Sequence, residues 1–486
     1  MNKSNASQRI GQLELDLIDK PVTLSFDGDD VSGNAGVLLA SQVEKITGLL
    51  AGAQARLDDH RTCSLIKHCQ FELIAQRVFQ IMSGAAACDD SDYLRHDPAI
   101  KIGAGREPLT GEALASQPTQ SRFENSRTYI ELLRLSEWIV EYYIHCHPKP
   151  PKSLILDFDG SAIETYGLQL NAFYRGGPYK KYMYFPLFVF DSEGWLLVAA
   201  LRPGDQGECH FSLPVLKRVV AKLRRAWPEV KITIRADGAF TDPALYKWLD
   251  ENSVDYVLGL KHNNVLLTFS KNLRQKARKK FVRKFCAPVF MGKEGEKRKL
   301  EAMHQVHSQI KHEDRSKLNS EVTNRVRLFG EFSYQAGSWD RPRRVICRCD
   351  FGNEGLEVRY IVTSISWMSA ADTYQKLYCG RARIEMWIKH IKETRANRLS
   401  CSQFKANAFR LLLHAFAYLL MHQIRLLIDC QTSMSLEFVR RRFINVPVHI
   451  NETSQGCHFR ISSAYKEARI FRKISKRLGA KSLIAA

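Results

Sequence analysis

Ser153–Asp159 reads Ser-Leu-Ile-Leu-Asp-Phe-Asp, an apolar run of strand length that ends in acid. Such a run, set off by turn residues, predicts a buried strand. The Pro148-Lys149-Pro150-Pro151 break stands just before it and marks a boundary. Downstream, Tyr182–Asp191 and Trp195–Leu201 read as two more strands, joined by the turn-like Ser192-Glu193-Gly194. Phe211–Trp227 has Leu213, Leu216, Val219, Val220 and Leu223 at helical spacing. Val230–Arg235 is a strand running into Ala236-Asp237-Gly238. Pro243–Asn252 is a short helix and Tyr256–Leu260 a further strand. Three strands, then helix, strand, helix and strand, predict a mixed α/β sheet with helices on both faces.

Working outward, residues 1–34 read as a short strand or extended arm. Residues 37–83 and Phe123–Tyr143 are helical by period, so residues 1–150 predict a mostly helical N-terminal domain. The α/β core divides into residues 151–264 and 353–400. Between them lies a basic, β-rich insertion, residues 265–352, with alternating runs at Ala287–Met291, Val326–Tyr334 and Val345–Asp350. Leu356–Ser364 resumes the core as a strand, and Ala370–Ala396 reads as one long helix. Residues 401–486 read as two helices and a basic tail.

At 486 residues, with 45% hydrophobic and 25% charged, the chain is too long and too apolar for a disordered or disulfide-framework protein. The net charge of +21 favours an anionic partner, of which nucleic acid is the commonest. Residues 271–300 hold twelve Lys/Arg against two Glu, and residues 440–486 hold eleven against two. Those stretches therefore supply +19 of the total, and the rest is nearly balanced. The twelve cysteines contain no Cys-x-x-Cys knuckle and read as reduced thiols. No secretory signal opens the chain, and the apolar run Leu411–Met421 is shorter than the roughly 20 residues of a membrane span, so no membrane partner is expected.

Three carboxylates sit where a sheet-based site would want them. Asp159 ends the first core strand, with Asp157 two residues earlier on the same face. Asp237 lies just past the end of another strand, and Glu385 lies inside the long helix. In α/β sheets the crevice at strand ends is the usual ligand site. Tyr378, Arg381, Glu385 and Lys392 are spaced by 3, 4 and 7 and would share one stripe of a continuous helix. A stripe of phenol, guanidinium, carboxylate and ammonium suits a surface that holds a cation and grips phosphates. A solvated salt-bridge stripe has the same composition.

The Tyr-x2-Arg-x3-Glu-x6-Lys spacing resembles the YREK signature of bacterial insertion-sequence DDE transposases of the cut-and-paste type. Leu154–Ser161 (LILDFDGS) is similar to their first-Asp strand, where Ser or Thr stands two places after the catalytic Asp; that selects Asp159 over Asp157. Ile234–Phe240 (IRADGAF) is similar to their second-Asp segment. It reads Asp-Gly-Ala-Phe where Asp-Ser-Gly-Phe is commoner. LRHDPAI (94–100), SQPTQSRFEN (116–125) and LSCSQFKANAFRLLLHAFAY (399–418) extend the resemblance over about residues 60–420.

The resemblance implies an RNase H-like mixed sheet as catalytic core, its two Asp strands adjacent and the Glu helix across their ends. It assigns Asp159, Asp237 and Glu385 as catalytic residues and ligands of two Mg²⁺ about 3.5–4 Å apart, with Mn²⁺ as a substitute. It assigns Tyr378, Arg381 and Lys392 to DNA phosphates near the cut. The basic run would follow the duplex backbone through Arg274, Lys276, Arg278, Lys279, Lys280, Arg283 and Lys284, as would Arg440 to Lys481. The implied partners are double-stranded DNA, as terminal inverted repeats and target, and a second copy in a DNA-bound dimer. The implied location is the bacterial cytosol, at the nucleoid. Repeat recognition would rest on the N-terminal domain, where a Thr62–Met82 helix with Lys67, His68 and Arg77 is one candidate and a plain core helix the other. A nuclease that cuts without joining, or a non-catalytic DNA-binding relative, would share these residues.

Overall fold

Alternation and apolar runs place the strands, and their pairing builds the frame that carries the carboxylates. The computed structural model describes residues 13–207, 209–286, 325–352, 354–429 and 434–480. The chain forms two units. One takes in the described residues up to Arg127, Glu393–Arg395 and those from Leu413 on; the other is Thr128–Lys392 with Ala396–Leu412.

The second unit holds an eight-stranded sheet. In chain order its strands are β1 (Ser153–Gly160), β2 (Leu187–Asp191), β3 (Leu196–Ala200), β4 (Lys231–Ala236), β5 (Asp255–Leu260), β6 (Arg325–Tyr334), β7 (Arg343–Gly352) and β8 (Gly355–Thr363). Their spatial order is β6-β7-β8-β5-β4-β1-β2-β3. β4 runs parallel to both β1 and β5, and every other pairing is antiparallel. The first-Asp and second-Asp strands are therefore neighbours, as an RNase H-like sheet requires. Helix Ser212–Ala226 buries Leu216, Val219, Val220 and Leu223, and Phe158 of β1 meets Phe240 edge-on at 6.4 Å.

Several expectations change here. The single strand 182–191 splits at Phe185-Pro186 into Lys181–Tyr184 and β2, because proline cannot donate to a ladder. The first piece joins a small sheet with Ile163–Glu164 and Phe173–Arg175. Residues 264–281 are helical (Asn264–Phe269 and Lys271–Phe281), not β-rich. The runs at 326–334 and 345–350 are β6 and β7 of the main sheet, not a separate module. The run at 287–291 lies outside the described residues. Helix Tyr129–His145, expected with the N-terminal domain, belongs to the sheet-bearing unit.

The segment from Ala370 is not one α-helix. A π-turn at Thr373–Leu377 and a 3₁₀ turn at Tyr378–Arg381 precede the α-helix Ala382–Glu393. Departures of this kind concentrate at functional positions. A physical cause lies at Gly380, where any Cβ would stand 2.2 Å from Arg235 Nη1, so the turn is pressed onto the sheet.

In the first unit, the helical run 37–83 breaks at Gly48 (φ +66°), between helices Val37–Thr47 and Leu49–Gln54. A short 3₁₀ turn, Cys63–Leu65, follows, and helix Gln70–Ser83 starts from the Cys69 cap. The expected Thr62–Met82 helix is thus shorter, and it is a core helix. Arg77 is fully buried against Glu124 at 2.9 Å and reads no base. His68 pairs with Glu72 at 2.5 Å. The C-terminal region also holds a β-hairpin, Val448–Thr453 with Gly456–Ile461, which pairs onto Val31–Ser32. Val448 and Ile450 face its core. Among the described residues, ten cysteines are free thiols. Helix Phe404–Asp429 is longer than the run Leu411–Met421. By length and composition its Phe404–Ile428 stretch could cross a bilayer, but 83% of its most apolar window is buried within the protein, as in a core helix.

Candidate active site

The two strand-end aspartates differ in what holds them. Asp157 is completely buried, and Arg235, its register partner on β4, donates to both carboxylate oxygens, Nε to Oδ1 at 2.5 Å and Nη2 to Oδ2 at 2.7 Å. Buried carboxylates persist only when paired in this way. Asp159, one turn of the pleat further on, reaches the sheet's end, where its Oδ1 accepts the Gly160 N–H at 2.9 Å. The β1–β4 register ends at Phe158 opposite Ala236, and Asp159 and Asp237 are the residues that follow this last pair on the two chains. Asp237 Oδ1 accepts the Ala239 N–H at 2.9 Å, capping the turn Gly238–Phe240.

Arg381 joins the helix to this end of the sheet. Its Nη1 lies 3.4 Å from Asp159 Oδ2 and its Nη2 lies 3.2 Å from Glu385 Oε1. Burial opposes the Arg381 charge, but Asp159, Tyr378, Asp237 and Glu385 together hold its pKa above the usual value. One turn earlier, the Tyr378 hydroxyl lies over β5, where a Cβ at Gly259 would be 2.7 Å from it. Burial pushes that hydroxyl's pKa up. Lys392 Nζ donates to the Ala162 carbonyl at 3.2 Å. Burial lowers its pKa, and the Asp159 charge offsets part of that effect. The structure thus gathers Asp159, Asp237, Tyr378, Arg381, Glu385 and Lys392 around one end of the sheet. A cleft of about 370 Å³ opens beside Asp237, and Lys261, His262, Arg359 and Tyr378 are among its lining residues.

Sequence reasoning missed Arg235. Besides Asp157 it binds the Leu377 carbonyl through Nη1 at 2.6 Å, tying both Asp strands to the turn that carries Tyr378. A signal existed, since Asp157 and Arg235 each precede a site aspartate by two residues. The donor set suits a hard divalent ion, because carboxylate oxygens are what Mg²⁺ prefers. Arg381 already stands as a cation between Asp159 and Glu385. A tighter group elsewhere, Glu107, Glu452 and Cys457, places its ligand atoms within 4.8 Å. There Glu452 is taken up by the Leu109 and Thr110 amides and the Thr110 hydroxyl.

Most of the described basic run is exposed. Lys276, Arg278, Lys279 and Lys280 are exposed on helix Lys271–Phe281, whose Ala277 and Phe281 are buried, and Arg283 and Lys284 are exposed just beyond. Arg274 is different: it is half-buried and donates to the Leu267 carbonyl at 2.8 Å. Residues 287–299 of the run lie outside the described residues. Arg440, which opens the C-terminal run, is buried and donates to the Met82 and Glu393 carbonyls. It holds the fold. Arg469, Arg472, Lys473 and Lys476 are exposed on helix Ala468–Arg477.

No match was found among curated proteins. Among solved structures, the cryo-EM structure of a piggyBac transposase synaptic complex with hairpin DNA is similar at a TM-score of 0.39 and 10% identity, covering 92% of this chain and 82% of that one. The profile of the family described as Transposase DDE domain group 1 matches residues 16–482, nearly the whole chain. The chain belongs to this DDE transposase family.

Proposed function

We propose that the protein cuts DNA at the terminal inverted repeats of a bacterial insertion sequence and joins the freed 3′-OH ends to target DNA. Asp159, Asp237 and Glu385 would hold the divalent ions. The observation that carries this reading is the Arg381 bridge from Asp159 to Glu385, with Asp159 and Asp237 each one residue past the last register pair of β1 and β4. Three acids from separate elements converge on one strand-end crevice, where stability alone gives no reason to gather them. When bound, two Mg²⁺ (or Mn²⁺) ions supply an activated water or 3′-OH and neutralise charge on the leaving oxygen.

The chain's own groups do the positioning. Arg381 offers a planar fork suited to two phosphate oxygens, and a phosphate arriving there would compete with Asp159 and Glu385 for it. Lys392 adds a point charge beside Ala162, and Tyr378 a hydroxyl beside Asp237. The exposed cations of residues 276–284 would follow the flanking duplex without reading its sequence. Two ends must be held together for joining, so a DNA-bound dimer is part of the proposal.

The test is a strand-transfer assay. A linear fragment ending in the DNA that flanks the coding sequence is incubated with supercoiled target plasmid and Mg²⁺. Covalent joining of its 3′ ends to the plasmid supports the proposal. End cleavage with no joined product identifies a nuclease and overturns it.

A further inference from the structure

We infer that the small sheet of residues 163–184 is a stacking platform for unpaired DNA beside the carboxylate centre; this builds on the DNA-processing function proposed above. The sheet grows out of the site itself. β1 and β2 pair as far as Gly160 and Leu187, and the two chains pair again at Ile163–Glu164 with Met183–Tyr184. Phe173–Arg175 then adds a third strand. This extension begins four residues past Asp159, and Lys392 bonds the Ala162 carbonyl at its root.

Its surface differs from that of an ordinary solvated hairpin. Residues 163–184 contain six aromatics, and only Tyr184 among them is buried, packed with Ile163 and Leu399. Tyr166 is 71% exposed, Tyr174 57% and Tyr182 59%; Phe173 and Tyr179 are also exposed. Tyr174 and Tyr182 are direct register partners, and their rings meet edge to face at 5.6 Å. Adjacent solvent-facing aromatics of this kind mark interaction surfaces.

The occupant follows from charge and shape. The segment carries Arg175, Lys180 and Lys181 against one acid, Glu164, so it favours a polyanion. Arg175 is taken up beside the sheet, lying over the Phe185 ring at 4.3 Å and donating to the Gln206 carbonyl. Lys181 is exposed but paired with Glu164 at 2.7 Å, and Lys180 is exposed beside it at the sheet's margin. Exposed aromatic faces with flanking cations are how proteins hold single strands, by stacking bases and tracking phosphates. Duplex DNA keeps its bases stacked inside and offers these rings nothing. Strands opened next to a cut do offer bases, and this platform stands next to Asp159.

The test compares a 30-bp duplex with the same duplex carrying a six-nucleotide unpaired tail, by fluorescence anisotropy of the full chain in EDTA. The wild type binds the tailed duplex more tightly. Tyr174→Ala/Tyr182→Ala loses roughly tenfold of that tail-dependent gain, as expected when base stacking is removed, and leaves blunt-duplex affinity unchanged. Tyr174→Phe/Tyr182→Phe keeps the gain. If the double alanine variant does not fold, the single variants carry the comparison. No gain from the tail in the wild type, or an undiminished gain in the alanine variants, overturns the inference. So does a wild-type dimer without DNA that the alanine variants dissociate, which would assign the surface to a second copy. Binding in EDTA is independent of cutting, so tail binding by a chain that never cuts or joins DNA would sink the transposase reading and leave the platform standing.

Discussion

Arg235 on β4 holds Asp157 on β1 through two hydrogen bonds across adjacent parallel strands, and its third nitrogen holds the Leu377 carbonyl. Asp159, two residues from Asp157, faces Arg381 instead. The neighbouring aspartates should therefore fail differently. Asp157→Ala strands a buried guanidinium and should cost about 3–5 kcal/mol of stability. Asp159→Ala should leave the denaturation midpoint near wild type. Urea unfolding of the two variants checks this.

Lys392 should give the proposed site an alkaline limit. Burial lowers its pKa, so the ammonium loses its proton at a lower pH than an ordinary lysine. The phosphate contact proposed for it should be present at neutral pH and fade as pH rises towards the ordinary lysine range. Lys392→Arg keeps its charge there and should flatten that decline, as read from DNA affinity between pH 7 and 10 at fixed salt.

Asp191, at the end of β2, should make the fold's stability depend on pH. Burial pushes its carboxyl up to about 7, although the Trp195 and Glu193 amides and the Tyr143 hydroxyl are bonded to it. Between the usual carboxylate range and pH 7 the folded chain binds a proton that the unfolded chain lacks, so stability falls as pH rises through that window. One group can tilt it by at most about 1.4 kcal/mol per pH unit. Asp191→Asn mimics the protonated acid: its oxygen can accept both amides and its nitrogen can donate to the Tyr143 hydroxyl. Melting temperatures from pH 5 to 8 should fall less steeply in this variant.

The exposed cations of helix Lys271–Phe281 should act through salt. Replacing Lys276, Arg278, Lys279 and Lys280 with alanine should weaken duplex binding and reduce the salt slope by about 0.9 for each phosphate that is no longer neutralised. Arg274→Ala, which removes the bond to Leu267, should change stability more than that slope. A titration of affinity against salt separates the two.

Local patterns carried much of the fold. The apolar runs 153–159 and 230–235 are strands because their residues alternate across a buried sheet, and the acids at their ends mark where it stops. Partner choice was not legible. β6 and β7 read as strands, but nothing local says that they extend the main sheet through β8. The hairpin 448–461 is hard to see in the sequence because its surroundings are basic and resemble a charged tail. Tyr378, Arg381, Glu385 and Lys392 were found by spacing on an ideal helix, yet a 3₁₀ turn that follows a π-turn carries the first two. They converge because Arg235 and Gly380 hold that turn to the sheet, a contact made between residues 145 positions apart in the chain.

Metal-dependent cutting by carboxylate variants tests the central claim most directly. Supercoiled plasmid carrying both segments that flank the coding sequence is incubated with wild type, Asp159→Ala, Asp237→Ala or Glu385→Ala. Each is run with Mg²⁺ and with EDTA, and DNA binding is measured in parallel. The account predicts cutting at the segment ends by the wild type with Mg²⁺ and none in EDTA. It predicts loss of more than about a hundredfold in every variant, while DNA binding survives. Wild-type cutting by any one of the three variants, or by the wild type in EDTA, would contradict it.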